Sequence, residues 1–427
     1  MNADAYARAR GFGRVQEPAS IRRSEIEWQA RLFAGELGTT WSTLDGRTVE
    51  VLHFGEWNHE AGPDFKGARV RFSDGNEATG DIELDPDIRD WEAHGHAQNP
   101  AYAGVILQLF IHSDGPVLYA RTVDNRVVAQ AKLETDGQPA RPLRGLPGSV
   151  DDEAARRMIE EAAEFRLRTR HAARARAASL HGPDTALFHA IAAGLGYKNN
   201  TIAFLLTAQR AGLRASGAAE GEARLFGLAG FLESTIFDSV AGDTRDYLRG
   251  LWESWWRHRD RLVRLVLPPA AWNFSGLRPS NHPHRRMGAL ATVAADFAKL
   301  RQALRADGVA GFERVLGAVT HRFWSRHWNL SAATLDREMA LIGSDRLNDL
   351  VINVAALTLP IDRARSEWAK RAGSTPGGKI LRAAEWLAGT SGRKWTKSAL
   401  HQQGLIQLYD DFGSLTALEA WARIRQG

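Results

Sequence analysis

The stretch that decides the fold lies between residues 55 and 96, which read GEWNHEAGPDF at 55–65, GDIELD at 80–85 and DWEAHGH at 90–96. Acidic and imidazole side chains stand there among the glycines and the proline of sharp turns. Between the first two motifs, Ala68, Val70 and Phe72 place apolar side chains at every second position, which is typical of a half-buried strand. The stretch therefore predicts a sheet whose middle strands carry acids.

The flanking residues complete a small α/β arrangement. Ser24 is a plausible N-cap for a helix that runs to about Gly35, and Asp87–His94 predicts a short second helix. Alternating or continuous apolar patterns predict four strands in one mixed sheet, at Val49–Phe54, Lys66–Phe72, Thr79–Asp85 and Gly104–His112. The predicted fold class is α+β, with an N-terminal α/β domain on a mixed sheet and then a larger, all-helical domain.

Composition divides the chain into four segments. Residues 136–150 are rich in glycine and proline and predict a linker. We therefore expect a flexible N-terminus at 1–20, an α/β domain with the candidate metal site at 21–135, and a basic helical domain at 151–427. The last of these begins with a long helix from Asp151 to about Leu180.

Charge and cysteine usage exclude several classes of function. The net charge is +5, with an acidic excess in residues 21–134 and a basic excess from residue 135 onward. This asymmetry favours nucleic acid as a partner, although an Arg-rich proteome would produce it too. The chain has no cysteine, which excludes disulfides and Cys-ligated zinc. No Walker A loop or Gly-x-Ser-x-Gly elbow is present, which argues against a P-loop nucleotide hydrolase and a serine-elbow acyl transferase.

Hydropathy predicts a cytoplasmic protein without a membrane partner. No apolar run approaches the roughly 18 residues that span a bilayer, and residues 1–20 lack the apolar core of a secretory signal. No feature of the sequence predicts an oligomeric state.

The acids of the central stretch have the spacing of a metal site. Asp64 and Glu83, on adjacent predicted strands, would offer two of the hard oxygen ligands that Mg²⁺ or Mn²⁺ prefers. Asp85 shares a strand face with Glu83, and His94 is a further candidate ligand. The alternative is a solvent-facing strand edge, with Asp64 as a turn residue and His94 as a helix cap. On the predicted helix end, His94 and His96 would diverge.

Arginines of the second domain are candidate substrate-binding residues. Arg257, Arg261 and Arg264 fall beside three tryptophans on a predicted helix from Asp243 to Val266, a combination that suits single-stranded nucleic acid. Buried core tryptophans are the alternative. Arg278 precedes another predicted helix and could receive an anion, or could lie in a packed corner. The arginines between Arg166 and Arg176 fit a phosphate-binding face or a solvated helix face.

Several sequence blocks together resemble a bacterial family catalogued as domain of unknown function 2851. In the first domain they are Gly55-x-x-Asn58-x-x-x-Gly62-Pro63-Asp64-Phe65, Gly80-Asp81-Ile82-Glu83 and Asp90-Trp91-x-x-His94-x-His96. Later blocks include Gly194-x-Gly196-Tyr197 and Leu277-Arg278-Pro-x-Asn281-x-Pro283. Where the resemblance implies Glu-x-His on the third strand and Leu-His on the later strand, this chain has Asp85 and Gln108. The family name implies no activity.

A looser likeness is to the PD-(D/E)xK nuclease core, in which an Asp, a Glu on the next strand and a Glu on the preceding helix surround Mg²⁺. By that likeness Asp64, Glu83, Asp85 and Glu25 are the candidate catalytic residues, although Asp85 stands where those nucleases carry a water-activating lysine. The leading hypothesis is a metal-dependent phosphodiesterase or nuclease-like enzyme acting on nucleic acid. A catalytically inactive nucleic-acid-binding or scaffold protein is the first alternative, and a metal hydrolase of a small molecule is the second.

Overall fold

The protein is described from a computed structural model. The structure describes residues 6, 24–58, 60–113, 119–133, 151–213, 218–233, 237, 240 and 242–412. The predicted flexible N-terminus and the predicted linker at 136–150 lie outside these residues, apart from Tyr6, which is helical and buried. None of the described helices is both long and apolar enough to cross a bilayer.

The predicted fold class is confirmed, and the four predicted strands belong to one mixed sheet. Its strands are β1 Thr40–Ser42, β2 Thr48–His53, β3 Glu56–Trp57, β4 Phe65–Phe72, β5 Glu77–Asp87, β6 Val105–His112 and β7 Ala129–Lys132. The order is β1-β2-β4-β5-β6-β7, with β3 beside β4. Pairs up to β4–β5 are antiparallel, whereas β5–β6 and β6–β7 are parallel.

Side-chain alternation explains which faces of the sheet are buried. In β4 the apolar side chains of Ala68, Val70 and Phe72 are buried, while Arg69 and Arg71 between them are exposed. Strand β6 is buried along nearly its whole length, as its continuous apolar sequence predicts. Helix α1, Glu25–Phe33, and helix α2, Asp90–Ala93, both contact β5. These contacts bring the two helices to the strand that carries the acids.

Most of the remaining described chain is helical. The α-helices are α3 Asp152–His181, α4 Pro183–Leu195, α5 Tyr197–Ala211, α6 Ala218–Leu228, α7 Gly242–Trp256, α8 Arg259–Leu262, α9 Pro283–Ala295, α10 Phe297–Gly317, α11 Ser344–Leu350, α12 Ile361–Lys370, α13 Gly378–Ala388 and α14 Ala399–Phe412. The predicted helix Asp243–Val266 is interrupted, because α7 ends at Trp256 and only the short α8 and a 3₁₀ turn follow.

Two compact units divide the chain. The sheet unit comprises residues 21–136 and 173–186, and the helical unit comprises residues 1–20, 137–172 and 187–427. Within the helical unit, Ile159, Trp386 and Leu405 belong to one buried apolar cluster. Leu167 and Trp368 belong to another. Within the sheet unit, Trp91, Tyr102 and Val105 pack together beside the acidic strand β5.

Candidate metal centre

Three buried carboxylates and two imidazoles surround the carboxyl-terminal half of β5. Asp64 immediately precedes β4, and Glu83 and Asp85 lie on β5. His94 and His96 follow α2. Asp64, Glu83 and Asp85 are 8%, 6% and 2% exposed. The alternative of a solvent-facing strand edge therefore does not describe these acids in this structure.

Asp64 is fixed through both oxygens of its carboxylate. Oδ1 accepts a hydrogen bond from Nε2 of Gln29 at 2.6 Å, and Oδ2 accepts one from the backbone N–H of Leu84 at 2.9 Å. Gln29 is held in turn by Trp57, whose Nε1 donates to the Gln29 carbonyl oxygen at 3.3 Å. Buried polar groups that find partners in this way keep one orientation. Asp64 is thus a constrained part of the centre.

Glu25 contributes to the centre indirectly. This predicted catalytic residue is exposed at the first turn of α1, and its Oε1 accepts a hydrogen bond from Nε2 of Gln29 at 3.0 Å. The same Gln29 nitrogen contacts Asp64. The negative charge of Glu25 also raises the pKa values of Asp64 and Glu83 by repulsion. Glu25 therefore lies near the buried carboxylates and shares an amide with one of them.

Glu83 and Asp85 each have one carboxylate oxygen occupied by a protein donor. Oε2 of Glu83 accepts from the backbone N–H of Asp64 at 3.1 Å. Oδ2 of Asp85 accepts from Nε2 of Gln108 at 2.7 Å, and the carbonyl oxygen of Gln108 accepts from Gln130 at 2.7 Å. The other oxygen of each acid faces imidazole. Gln108 on the neighbouring parallel strand β6 therefore fixes Asp85, and Gln130 on β7 fixes Gln108.

His96 is the buried imidazole of the group. It is 6% exposed, and its ring stacks on Tyr102 with centroids 3.9 Å apart. Nε2 lies 3.4 Å from Oε1 of Glu83 and 3.7 Å from Oδ1 of Asp85. Neither ring nitrogen has a hydrogen-bond partner among the described residues. A buried imidazole with two unpaired nitrogens is costly unless something else binds it.

His94 reaches the same carboxylate from the outside. Its Nδ1 lies 3.9 Å from Oδ1 of Asp85, and half of the side chain is exposed. Gly95, with φ at +73°, turns the chain between the two histidines, so their ring centroids lie 5.5 Å apart. The expectation that the two imidazoles diverge on a helix end is wrong, because α2 ends at Ala93 and a left-handed residue follows.

The electrostatic environment disfavours ionised acids in the absence of a cation. Burial is the main cause that raises the pKa values of Asp64 and Glu83, and repulsion from neighbouring carboxylates adds to it. Burial likewise raises the pKa of the Tyr102 hydroxyl, and the nearby acids raise it further. A positive ion at this place would relieve both desolvation and repulsion.

The ligand atoms closest to one another differ from the predicted set. Asp64, Glu83 and His94 were predicted as ligands, whereas Asp85, His94 and His96 each offer one ligand atom within 4.8 Å of the others. Asp81, two residues before Glu83 on β5, accepts a hydrogen bond from the backbone N–H of Gly67 and takes no part in these contacts. Both sets share strand β5 and the turn after α2.

Sequence reasoning undervalued the amides and His96. Gln108 is the polar residue in the middle of the otherwise apolar strand VILQLFIH, and this interruption was the available signal. Gln29 and Gln130 are also buried polar residues. They carry no motif that would distinguish them from exposed glutamines, so their role follows only from the fold.

The predicted substrate-binding arginines lie in the helical unit. Arg257, Arg261 and Arg264 are exposed around the end of α7, as is Arg278 farther along the chain. Of the neighbouring tryptophans, Trp255 is buried and Trp256 is 56% exposed. The guanidinium of Arg259 lies 5.2 Å from the centre of the Trp256 ring.

Arginines elsewhere in the predicted basic segments make structural contacts. Arg166 donates to Gln403 and Gln407, and Arg174 donates to the carbonyl of Ala186. Arg285, close to Arg278 in sequence, is fully buried and donates to backbone carbonyls that include His327. These guanidinium groups are engaged in packing.

Comparison with known proteins identifies one family and nothing else. The profile of a family described as Protein of unknown function (DUF2851) matches residues 25–372, which is most of the chain. No curated protein and no solved structure matches. The likeness to PD-(D/E)xK nucleases therefore has no support from a solved structure.

Proposed function

This chain belongs to the DUF2851 family, and we propose that it is a metal-dependent phosphodiester hydrolase that acts on nucleic acid. The observation that carries the proposal is the burial of Asp64, Glu83 and Asp85 against one another, with His96 beside them. Buried carboxylates that lie this close together are stabilised by a bound cation. The sequence predicts Mg²⁺ or Mn²⁺ as that cation.

A divalent cation held by these residues would polarise a phosphoryl oxygen and acidify a bound water. Gln29 and Gln108 keep the carboxylates in one orientation, which reduces reorganisation during the reaction. Asp85 replaces the lysine of the PD-(D/E)xK pattern. A carboxylate, and not an amine, would therefore accept the proton of the attacking water, and the acceptor would be Oε1 of Glu83, because Oε2 is held by the N–H of Asp64.

Exposed groups of the helical unit support a polymeric phosphodiester as substrate. Trp256 offers an exposed aromatic face with Arg259 over it, and Arg257 and Arg261 are exposed beside it. Aromatic faces stack on bases, and arginines bind the phosphates between them. This combination favours a single-stranded substrate.

The test is hydrolysis of bis-(4-nitrophenyl) phosphate and of labelled oligonucleotides with Mg²⁺, Mn²⁺ or Zn²⁺. Glu83→Gln should lower kcat/KM by about 100-fold or more, the range that loss of a catalytic group produces. Asp81→Asn is the matched control, since Asp81 lies on the same strand but contacts the Gly67 backbone instead.

Each alternative function corresponds to a distinct result. Tight oligonucleotide binding without hydrolysis under any of the three ions would replace the proposal with an inactive nucleic-acid-binding protein. The absence of a lysine at position 85 favours this alternative. Hydrolysis of the small diester without oligonucleotide binding would indicate a small-molecule hydrolase.

A further inference from the structure

Two imidazoles beside the free oxygens of Glu83 and Asp85 make the centre chemically different from a magnesium site. Mg²⁺ binds few protein groups, prefers oxygen and keeps several waters. Imidazole nitrogen mixed with carboxylate oxygen suits Zn²⁺ and related transition-metal ions. The donor set of this chain is therefore the first indication of which ion it selects.

The carboxylates are prepared to offer one oxygen each. Oε2 of Glu83 is held by the N–H of Asp64, and Oδ2 of Asp85 is held by Gln108. This leaves Oε1 of Glu83 and Oδ1 of Asp85 facing His96. Outer hydrogen bonds that fix one oxygen and free the other are typical of ligating carboxylates.

The separations between these ligand atoms exceed those of hydrogen bonds and lie nearer to the spacing of tetrahedral ligands than to that of octahedral ones. Nε2 of His96 lies 3.4 Å from Glu83 and 3.7 Å from Asp85, and Nδ1 of His94 lies 3.9 Å from Asp85. Charge-assisted hydrogen bonds would close to about 2.7–2.9 Å. Ligands about 2.0–2.1 Å from a tetrahedral ion stand about 3.3–3.4 Å apart, whereas adjacent octahedral ligands of Mg²⁺ stand about 2.9 Å apart.

His96 supplies an independent reason for a bound ion. The residue is only 6% exposed, and both ring nitrogens lack hydrogen-bond partners among the described residues. Its ring is held in place by stacking on Tyr102 and by the edge of Trp91. The packing thus aims an unpaired nitrogen at two carboxylate oxygens.

We infer that Asp85, His94 and His96, which each offer one ligand atom within 4.8 Å of the others, form a carboxylate–imidazole site that binds Zn²⁺ in preference to Mg²⁺. Three protein ligands leave the fourth tetrahedral position open for water, with Oε1 of Glu83 beside the site. The inference specifies the cation of the proposed function and rests on it for its biological purpose. Asp64 then serves as a positioning residue, because its N–H holds Glu83 and its own oxygens are occupied by Gln29 and Leu84.

The first measurement is metal binding by the full chain after treatment with a chelator. Isothermal titration with Zn²⁺ alone and with Mg²⁺ alone should give one tight Zn²⁺ per chain and no Mg²⁺ binding at the same concentrations. Co²⁺ in place of Zn²⁺ should give the intense visible absorption of a tetrahedral N/O site. An octahedral Co²⁺ spectrum, or Mg²⁺ binding as tight as that of Zn²⁺, would overturn the inference.

Variants assign the ligands. His96→Gln should weaken Zn²⁺ binding by more than about 100-fold and abolish the Co²⁺ absorption, since loss of an outer partner alone costs about 10–100-fold. Gln108→Leu removes such an outer partner and should fall within that lower range. His112→Gln removes an exposed histidine from the end of β6 and should bind like the wild type.

Folding failure and functional failure are separated by the design. Circular dichroism verifies that each variant is folded, and His94→Gln changes an exposed side chain, so it tests the site without disturbing the core. Unchanged Zn²⁺ affinity in both His94→Gln and His96→Gln would contradict the assignment. Zn²⁺ binding without hydrolysis would disprove the proposed function alone, and Mg²⁺-dependent hydrolysis without Zn²⁺ binding would disprove this inference alone.

Discussion

At the scale of single residues, the centre is defined by how each polar atom is occupied. Gln29 and Gln108 each give an amide hydrogen to a buried carboxylate, and Asp64 gives its backbone hydrogen to Glu83. After these bonds are counted, the ring nitrogens of His96 remain without a hydrogen-bond partner among the described residues. The proposed metal binding follows from these unpaired ring nitrogens.

Glu83 makes stability depend on pH when no cation is bound. Burial and neighbouring acids raise the pKa of its carboxyl group above the unfolded value of about 4.3. The folded protein then binds the proton more tightly than the unfolded chain. The resulting stabilisation is fully present below about pH 4.3 and is lost as the pH rises through the raised folded pKa.

We therefore expect the Tm of the chelator-treated wild type to fall from pH 5 to pH 9 more steeply than that of Glu83→Gln, which cannot ionise. A saturating divalent cation should flatten the wild-type profile, because it stabilises the ionised form. Glu92→Gln, which removes an exposed carboxylate from α2, should follow the wild type. Parallel profiles for wild type and Glu83→Gln would disprove the role of Glu83 in this pH dependence.

At the scale of elements, the four longest strands were predictable and the turn after α2 was not. Strand β4 could be found from Ala68, Val70 and Phe72, because alternation is a local property of the sequence. The positions of His94 and His96 depend instead on Gly95 adopting a left-handed conformation. The sequence DWEAHGH is compatible with a helix end in either geometry, so the convergence of the imidazoles could not be read from it.

Gly95→Ala tests this turn. The added Cβ meets no atom within 4 Å, so its cost comes from the positive φ of +73° alone. We expect a loss of about 1–2 kcal/mol in the free energy of unfolding, together with weaker Zn²⁺ binding as His94 is displaced. Denaturant unfolding and titration calorimetry measure the two effects.

Gly75→Ala is the matched control for this substitution. Gly75 has φ at +85°, its Cβ would also meet no atom within 4 Å, and it lies in the hairpin between β4 and β5. The control should lose a similar amount of stability and keep its Zn²⁺ affinity. If both variants kept full affinity, the conformation of Gly95 would not matter for the centre.

The end of α7 is another feature that the local sequence does not predict. Residues 256–260 read WRHRD, without the glycine or proline that usually marks a break. The helix nevertheless stops at Trp256, and His258 lies 3.3 Å from Glu220 of α6. A tertiary contact of this kind is invisible to a periodicity argument. The break leaves Trp256 exposed at a helix end.

Trp256 should be the main stacking group if the helical unit binds single strands. Trp256→Ala should weaken binding of a labelled single-stranded oligonucleotide by about 1–3 kcal/mol, the usual worth of one stacked base. Trp255→Ala is an unsuitable control because Trp255 is buried. Phe274→Ala, which removes another exposed aromatic side chain of the helical unit, should change the affinity little. Equal losses in both variants would indicate a different surface.

At the scale of the whole molecule, acids and bases are distributed between the two compact units. The sheet unit holds the carboxylate centre, and the helical unit holds Arg257, Arg261 and Arg264. Composition alone revealed this asymmetry, because charge counts do not depend on the fold. It could not distinguish exposed arginines from those engaged in packing, such as Arg166 and Arg174. That distinction required the structure.

The exposed arginines predict how binding responds to salt. Each phosphate contact releases counterions and contributes about 0.7 to the slope of log affinity against log salt on single strands, and about 0.9 on duplex DNA. Replacing Arg257, Arg261 and Arg264 together by glutamine should therefore flatten the slope by up to about 2.1 on a single strand. Fluorescence anisotropy across a salt series measures it.

A second triple variant, Arg305→Gln, Arg337→Gln and Arg382→Gln, removes the same charge from other exposed positions of the helical unit. Because long-range attraction is screened within about 10 Å at 0.1 M salt, this control should lower affinity slightly and keep the slope. Equal flattening in both triples would show that net charge, not a defined surface, attracts the polyanion. A wild type that binds no oligonucleotide even at low salt would remove nucleic acid from the proposed function, while Zn²⁺ binding at the centre would still stand on its own measurement.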